Sequence, residues 1–110
     1  MNIFVCYTLR DGKLTENILK NIYEYLSQYG KVFIDLLDNK SNDRQEKVID
    51  ELIKCDCVIV IETNGTYDSE WVKLEIDLSK KLEKRIVCIK LDEFMLSIQN
   101  QFDIFIHSSK

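Results

Sequence analysis

The chain contains no proline, no alanine, only three glycines and a single histidine, His107, in 110 residues. No apolar run approaches the roughly 20 residues needed to cross a bilayer, and the N-terminus has no basic-then-apolar signal segment. A cytoplasmic protein that does not engage membranes is therefore expected. Excess basic charge is missing too: 15 Lys and Arg stand against 19 Asp and Glu, for a net charge of −4. Binding a nucleic-acid backbone needs clustered Lys and Arg. The one basic cluster, Lys80, Lys81, Lys84 and Arg85, is interrupted by Glu83 in the manner of a solvated helix end, so no nucleic-acid partner is expected. Repeats and low-complexity segments are absent, and the length suits a single domain, 1–110.

Several chemistries fall away with the motifs they require. There is no Gly-x-x-x-x-Gly-Lys-Ser/Thr phosphate loop, and no Gly-x-Gly-x-x-Gly follows the first apolar run. A Gly-x-Ser-x-Gly nucleophile elbow is also lacking. With one histidine near the end, Ser-His or Cys-His nucleophilic pairs have no base at hand. Cys6, Cys55, Cys57 and Cys88 each lie in or beside an apolar stretch. This placement fits reduced, mostly buried thiols better than a disulfide framework, which sits in the loops of small secreted chains. Cys55 and Cys57 are two apart, but zinc needs about four ligands at workable spacing, so no metal is expected.

What is present is a regular alternation. Residues 3–7 (IFVCY), 31–36 (KVFIDL), 57–61 (CVIVI) and 85–91 (RIVCIKL) read as buried strands. Between them lie helical stripes. Thr15 is the expected N-cap before Ile18, Ile22, Tyr25, Leu26 and Tyr29, with Gly30 as the stop. Asp43 and Glu46 form a capping-box pattern before Val48, Ile49, Leu52 and Ile53. Residues 69–83 make a third helix, 93–101 a short fourth, and 103–107 (DIFIH) a candidate edge strand. Residues 8–14, 37–42 and 62–68 read as turns and loops. Short connections make the strands parallel and the crossovers right-handed. The expected fold is a flavodoxin-like three-layer α/β sandwich with strand order 2-1-3-4 and a candidate fifth strand at the edge. Ligands in such sheets bind beyond the carboxyl ends of the strands, where chain direction reverses between strands 1 and 3.

Two acids stand out near that mouth. In the third helix, Trp71, Val72, Leu74, Ile76, Leu78 and Leu82 spread over one apolar face, and Glu75 falls near its middle, one turn after Trp71. A carboxylate there costs desolvation free energy unless a partner or ligand compensates. Two readings compete: a group held for chemistry, or a carboxylate that pairs with a nearby Lys or bends out to water. Asp35 interrupts Val32-Phe33-Ile34 where strand 2 ends, and serves equally well as a turn-forming residue or as part of a site.

The sequence Ile3-Phe4-Val5-Cys6-Tyr7-Thr8 followed by Asp11 resembles the opening strand of TIR (Toll/interleukin-1 receptor) domains. Val32-Phe33-Ile34-Asp35 is similar to their second strand, residues 53–61 to their third, and 84–89 to their fourth. Ser69-Glu70-Trp71-Val72-Lys73-Leu74-Glu75 carries a Ser-x-Trp-x-x-x-Glu core. The small bacterial TIR-like domains, including those of antiphage defence and signalling systems, are the nearest in character. The resemblance implies an NAD glycohydrolase or cyclase cleaving the nicotinamide–ribose bond. It makes Glu75 the catalytic glutamate, and it makes Tyr7, Thr8, Asp35 and Trp71 the nucleotide-binding residues. NAD would be substrate, with no cofactor. It also implies self-association, or pairing with another TIR-type or effector protein, because many active relatives complete their site between protomers. Thr8 stands where active relatives often carry a basic residue, and the loop at 37–42 lacks their Pro or Gly. A catalytically silent interaction module and a nucleoside deoxyribosyltransferase-like enzyme are the alternative expectations.

Overall fold

Runs of Ile, Val, Phe and Cys become strands, and each strand leads into a helix. In the computed structural model, which describes residues 1–38 and 44–101, the order is β1 (Asn2–Cys6), α1 (Glu16–Leu26), β2 (Lys31–Phe33), α2 (Asp35–Asp38), α3 (Arg44–Lys54), β3 (Cys57–Glu62), a 3₁₀ turn (Thr66–Asp68), α4 (Glu70–Lys81), β4 (Arg85–Lys90) and α5 (Leu91–Asn100). All pairings are parallel and the sheet order is β2-β1-β3-β4, as the alternation predicts. Phe4 lies beside Phe33 and Val58, and Val60 lies between Cys6 and Cys88.

Strand alternation divides the core into two. Ile3, Val5, Ile59, Ile61 and Val87 face one way, against Leu19, Ile22 and Leu26 of α1 and Phe94 of α5. Phe4, Cys6, Phe33, Val58 and Val60 face the other way, against Val48 and Leu52 of α3 and Val72 of α4. The central strands are apolar on both faces because helices cover both faces. Gly30 allows β1 and β2 to close up: a Cβ there would lie 2.0 Å from the Met1 carbonyl oxygen, which accepts the Lys31 N–H at 2.9 Å.

The structure departs from the sequence reading in several places. β2 ends at Phe33 rather than at residue 36, and Asp35 opens a helical turn instead of closing a strand. The cause is local. The Asp38 carboxylate accepts the Ile34 N–H at 2.7 Å, and the Ile34 carbonyl accepts the N–H groups of Leu37 and Asp38, so the chain coils rather than extends. Within the expected loop 62–68, Thr66 is fully buried; its hydroxyl donates to the Ile61 carbonyl and accepts the Thr63 N–H, which sets the 3₁₀ turn. α5 starts at Leu91, earlier than expected, and ends with Gln101 in the left-handed region. Three cysteines are buried and Cys88 is exposed on β4. The capping residue Asp43 and the candidate strand 103–107 lie outside the described residues. No helix among the described residues is long and apolar enough to cross a membrane.

Candidate active site

β1 has β2 on one side and β3 on the other, so the loops leaving β1 and β3 diverge to opposite sides and leave a crevice above the sheet. Tyr7 and Thr8 follow β1, Asp35 begins α2, and Trp71 and Glu75 project from α4. All five line one cleft of about 260 Å³, together with Phe4, Val5, Leu9, Arg10 and Ser69. Residues distant in sequence are thus gathered at the place where the topology predicts a ligand.

α4 sets the geometry. Ser69 is its N-cap, with Oγ accepting the Val72 N–H at 3.3 Å, and this start fixes which residues turn inward. The buried stripe is Val72, Glu75 and Ser79. The apolar-face reading is corrected here: Leu74 and Leu82 are 46% and 39% exposed. Ser79 can replace a leucine against the sheet because its hydroxyl donates to the Glu75 carbonyl at 2.7 Å, leaving no unmet polar group.

Glu75 is only 4% exposed. Its Oε1 accepts the Cys6 thiol at 3.1 Å, and the Trp71 indole, one turn earlier, adds a smaller favourable interaction with the charged carboxylate. Among the described residues it has no ion pair; those present, Lys20–Glu16, Lys47–Glu51 and Lys73–Glu70, lie elsewhere. The side chain has neither found a lysine nor bent to water. Burial pushes its carboxyl up to about 7, against the smaller downward pull of Cys6 and Trp71, and the nearby Asp35 charge adds to the rise. Near neutral pH the group is poised between its acid and its base form.

The other predicted residues frame this carboxylate. The Tyr7 hydroxyl accepts the Leu36 N–H at 3.0 Å, tying α2 to the end of β1 and bringing Asp35 to the cleft. Thr8 is buried, and its Oγ1 accepts the Arg10 N–H at 3.2 Å. Trp71 is partly buried and, with Asp35, forms a ridge shared with a second hollow of about 260 Å³ that Gln45 and Val48 also touch. Two residues near Glu75 are not singled out by the sequence, although Arg10 belongs to the Tyr7–Gly12 loop expected at the mouth. Arg10 reaches the rim, its Nη1 donating to the Asp68 carbonyl at 3.3 Å, so a cation is present two residues after the position where Thr8 lacks one. Cys6 does not line the cleft; it is fully buried in β1 and contacts Glu75 from within the core. The signal for Cys6 was strand alternation with Phe4; for Arg10 it was proximity to Thr8 alone.

A larger open hollow of about 550 Å³, bordered by Lys13, Glu62, Tyr67 and Lys90 among others, lies beyond the 3₁₀ turn and holds none of these groups. The smaller cleft is the better candidate because it brings a desolvated carboxylate, an aromatic wall and a rim cation together. Such a set can grip a phosphorylated sugar and offer negative charge to a cation forming on it.

No curated protein matches the chain. A solved structure, the CMP N-glycosidase BcmB of Clostridium botulinum, superposes with a TM-score of 0.59 at 18% identity, covering 82% of this chain and 69% of that one. At that identity the likeness is one of fold. A family model described as TIR domain matches residues 3–108. This protein accordingly belongs to the TIR domain family.

Proposed function

We propose that the protein is an N-glycosidase that breaks the bond between nicotinamide and ribose in NAD. The observation that carries this reading is Glu75, a carboxylate almost wholly withdrawn from water at the floor of a cleft, with no cation paired to it among the described residues. In the reaction the C1′–N bond electrons leave with the nicotinamide, and positive charge develops on the ribose ring. The Glu75 carboxylate stabilises that oxocarbenium-like cation and accepts hydrogen bonds from the ribose hydroxyls. Water then adds at C1′ and releases a proton, giving ADP-ribose; a nucleophile within the ADP-ribose in place of water gives a cyclic product. Trp71 supplies a stacking wall and excludes water. Asp35 and Tyr7 border the sugar, and Thr8 and Arg10 face the phosphate end, where the guanidinium pairs with phosphate oxygens.

The structural likeness to a CMP N-glycosidase supports a second reading with the same bond type, a pyrimidine nucleoside monophosphate as substrate. It places the same cation against Glu75, but a neutral pyrimidine needs a proton as it leaves, whereas nicotinamide departs as a neutral base. Chromatographic assay of nicotinamide and cytosine release from NAD and CMP separates the two. The wild type should consume NAD, and Glu75→Ala, with an unchanged circular dichroism spectrum, should not. Activity that rises more steeply than protein concentration would indicate a site completed by a second copy. If the wild type releases neither base at any concentration, or Glu75→Ala retains full turnover, the catalytic reading fails and an interaction module takes its place.

A further inference from the structure

We propose that Cys6 is a positioning residue for this reaction: its thiol, by donating to Oε1 of Glu75, fixes the carboxylate in place at the cleft. The inference rests on the N-glycosidase reading for its catalytic consequence, but its physical content stands on the contact itself. Cys6 is the last residue of β1, fully buried, and 69 residues away from Glu75 in sequence. The Sγ···Oε1 distance of 3.1 Å is short for a sulfur donor. Strand alternation points Cys6 toward α4, as it does Phe4, and Val60 beside it in β3 faces the same way. Burial raises the thiol well above the ordinary cysteine range, which favours its protonated, donating form.

The choice of donor has a physical logic. A lysine at this point would neutralise Glu75 permanently, and the carboxylate's charge would already be satisfied when the sugar cation formed. A valine would leave a buried carboxylate with less support, and the group would take up a proton. A thiol lies between these limits. It is a weak, uncharged donor that helps keep the carboxylate ionised without spending its charge on a neighbour. Among the described residues, the groups that act on Glu75 are Cys6 from β1, Trp71 one turn earlier on α4, and Asp35 from α2, whose negative charge opposes ionisation. From the β1–α1 loop, Tyr7 and Arg10 line the same cleft; α3 brings Gln45 and Val48 to the adjoining hollow, and β4 brings Cys88 within electrostatic range of Cys6. Cys6 and Cys88 lie on strands separated by β3, each beside Val60, too far apart for a disulfide to remove the donor.

Three variants of the full chain test the proposal: Cys6→Ala, Cys6→Val and Cys6→Ser. The first two remove the donor, and the last restores one of similar size. Two readouts are needed. One is the pH profile of NAD cleavage; the other, independent of any activity, is titration of the Glu75 carboxyl followed by carbon-detected NMR. Loss of a hydrogen bond to a charged group should move the Glu75 midpoint upward by about one pH unit in Cys6→Ala and Cys6→Val, and leave Cys6→Ser near the wild type. At pH 6, kcat should then fall by roughly tenfold in the two apolar variants and recover by pH 9, with little change in KM. Folding of each variant is checked by circular dichroism, and Cys6→Val covers the case in which the smaller alanine unfolds the sheet. An unshifted Glu75 titration in both apolar variants overturns the proposal whatever the activity. If the wild type cleaves no nucleotide but the titration moves as described, it is the N-glycosidase reading that fails and the Cys6–Glu75 coupling that stands.

Discussion

Glu75 carries opposite demands of folding and chemistry. Its carboxyl lies at about 7 in the folded chain against an ordinary 4.5. Between those values the native protein holds a proton that the unfolded chain has already lost, so stability is greatest below the ordinary carboxyl range and declines as pH rises toward the folded value. At about 1.4 kcal/mol per unit, the decline amounts to roughly 3 kcal/mol. Glu75→Gln keeps the shape and removes the ionisation. Urea denaturation at pH 8.5 should therefore find the variant more stable than wild type by about 2–3 kcal/mol, with the advantage gone at pH 4. Its turnover should nevertheless drop by about a hundredfold or more, since the charge that burdens the fold is the charge the sugar cation uses. A variant less stable than wild type at pH 8.5 would show that the carboxylate is not desolvated as described. Glu75 was legible in the sequence because a charged type broke a helical pattern. Cys6 and Arg10 were not, because an apolar-looking thiol and one base in a polar loop break no pattern; only the register of β1 and the path of the loop bring them near Glu75.

At the scale of the element, α4 shows what periodicity resolves and what it does not. The helix over 69–83 and the one-turn spacing of Trp71 and Glu75 follow from apolar periodicity, and the structure adds Ser69 as the N-cap. The rotation of the helix does not follow from that periodicity, because leucines at 74, 78 and 82 compete with Val72 and Ile76 for the buried side, and a satisfied serine outcompetes two of them. Two stability measurements check this. Ser69→Ala removes the acceptor for the Val72 N–H and should cost about 1 kcal/mol, or roughly 4–8 °C in Tm for a domain of this size. Leu74→Gln should change stability by less than about 0.5 kcal/mol, the response of an exposed position and not of a core leucine. A loss of several kcal/mol at Leu74 would mean that the helix lies turned the other way. The short α2 exposes a different limit: Asp35 through Asp38 coil because one carboxylate reaches back to the Ile34 N–H, a bond invisible to a pattern of apolar residues.

For the molecule as a whole, strand order and direction could be read from the sequence because alternation and connection length leave few alternatives. The fastening of its loops could not, since it depends on contacts across 54 residues. Asp11 illustrates this. In sequence it was only part of a resemblance; in the structure its carboxylate accepts the Gly65 N–H at 2.6 Å and the Lys13 N–H at 3.2 Å, clasping the loop after β1 to the loop after β3 on either side of the crevice. Gly65 leaves room for it, since a Cβ there would meet the Asp11 carboxylate at 3.2 Å. The Thr63 side chain, followed by the Gly65 amide, holds the Asp11 carboxyl below its ordinary range. Over the interval between the lowered and the ordinary value, the unfolded chain binds a proton that the native protein has released. The clasp therefore adds stability above about pH 3.9, and that contribution fades as pH falls through the lowered value. Asp11→Ala should lower Tm at pH 7 and close the gap to wild type in strong acid. Because the clasp borders the cleft rather than lining it, the change should raise KM for the nucleotide more than it lowers kcat. The direct check is amide hydrogen exchange: in Asp11→Ala the Gly65 N–H should exchange markedly faster while the core amides of β3 keep their protection. Equal exchange at Gly65 in the two proteins would mean that the loops are held by other contacts, and that the crevice keeps its shape without this carboxylate.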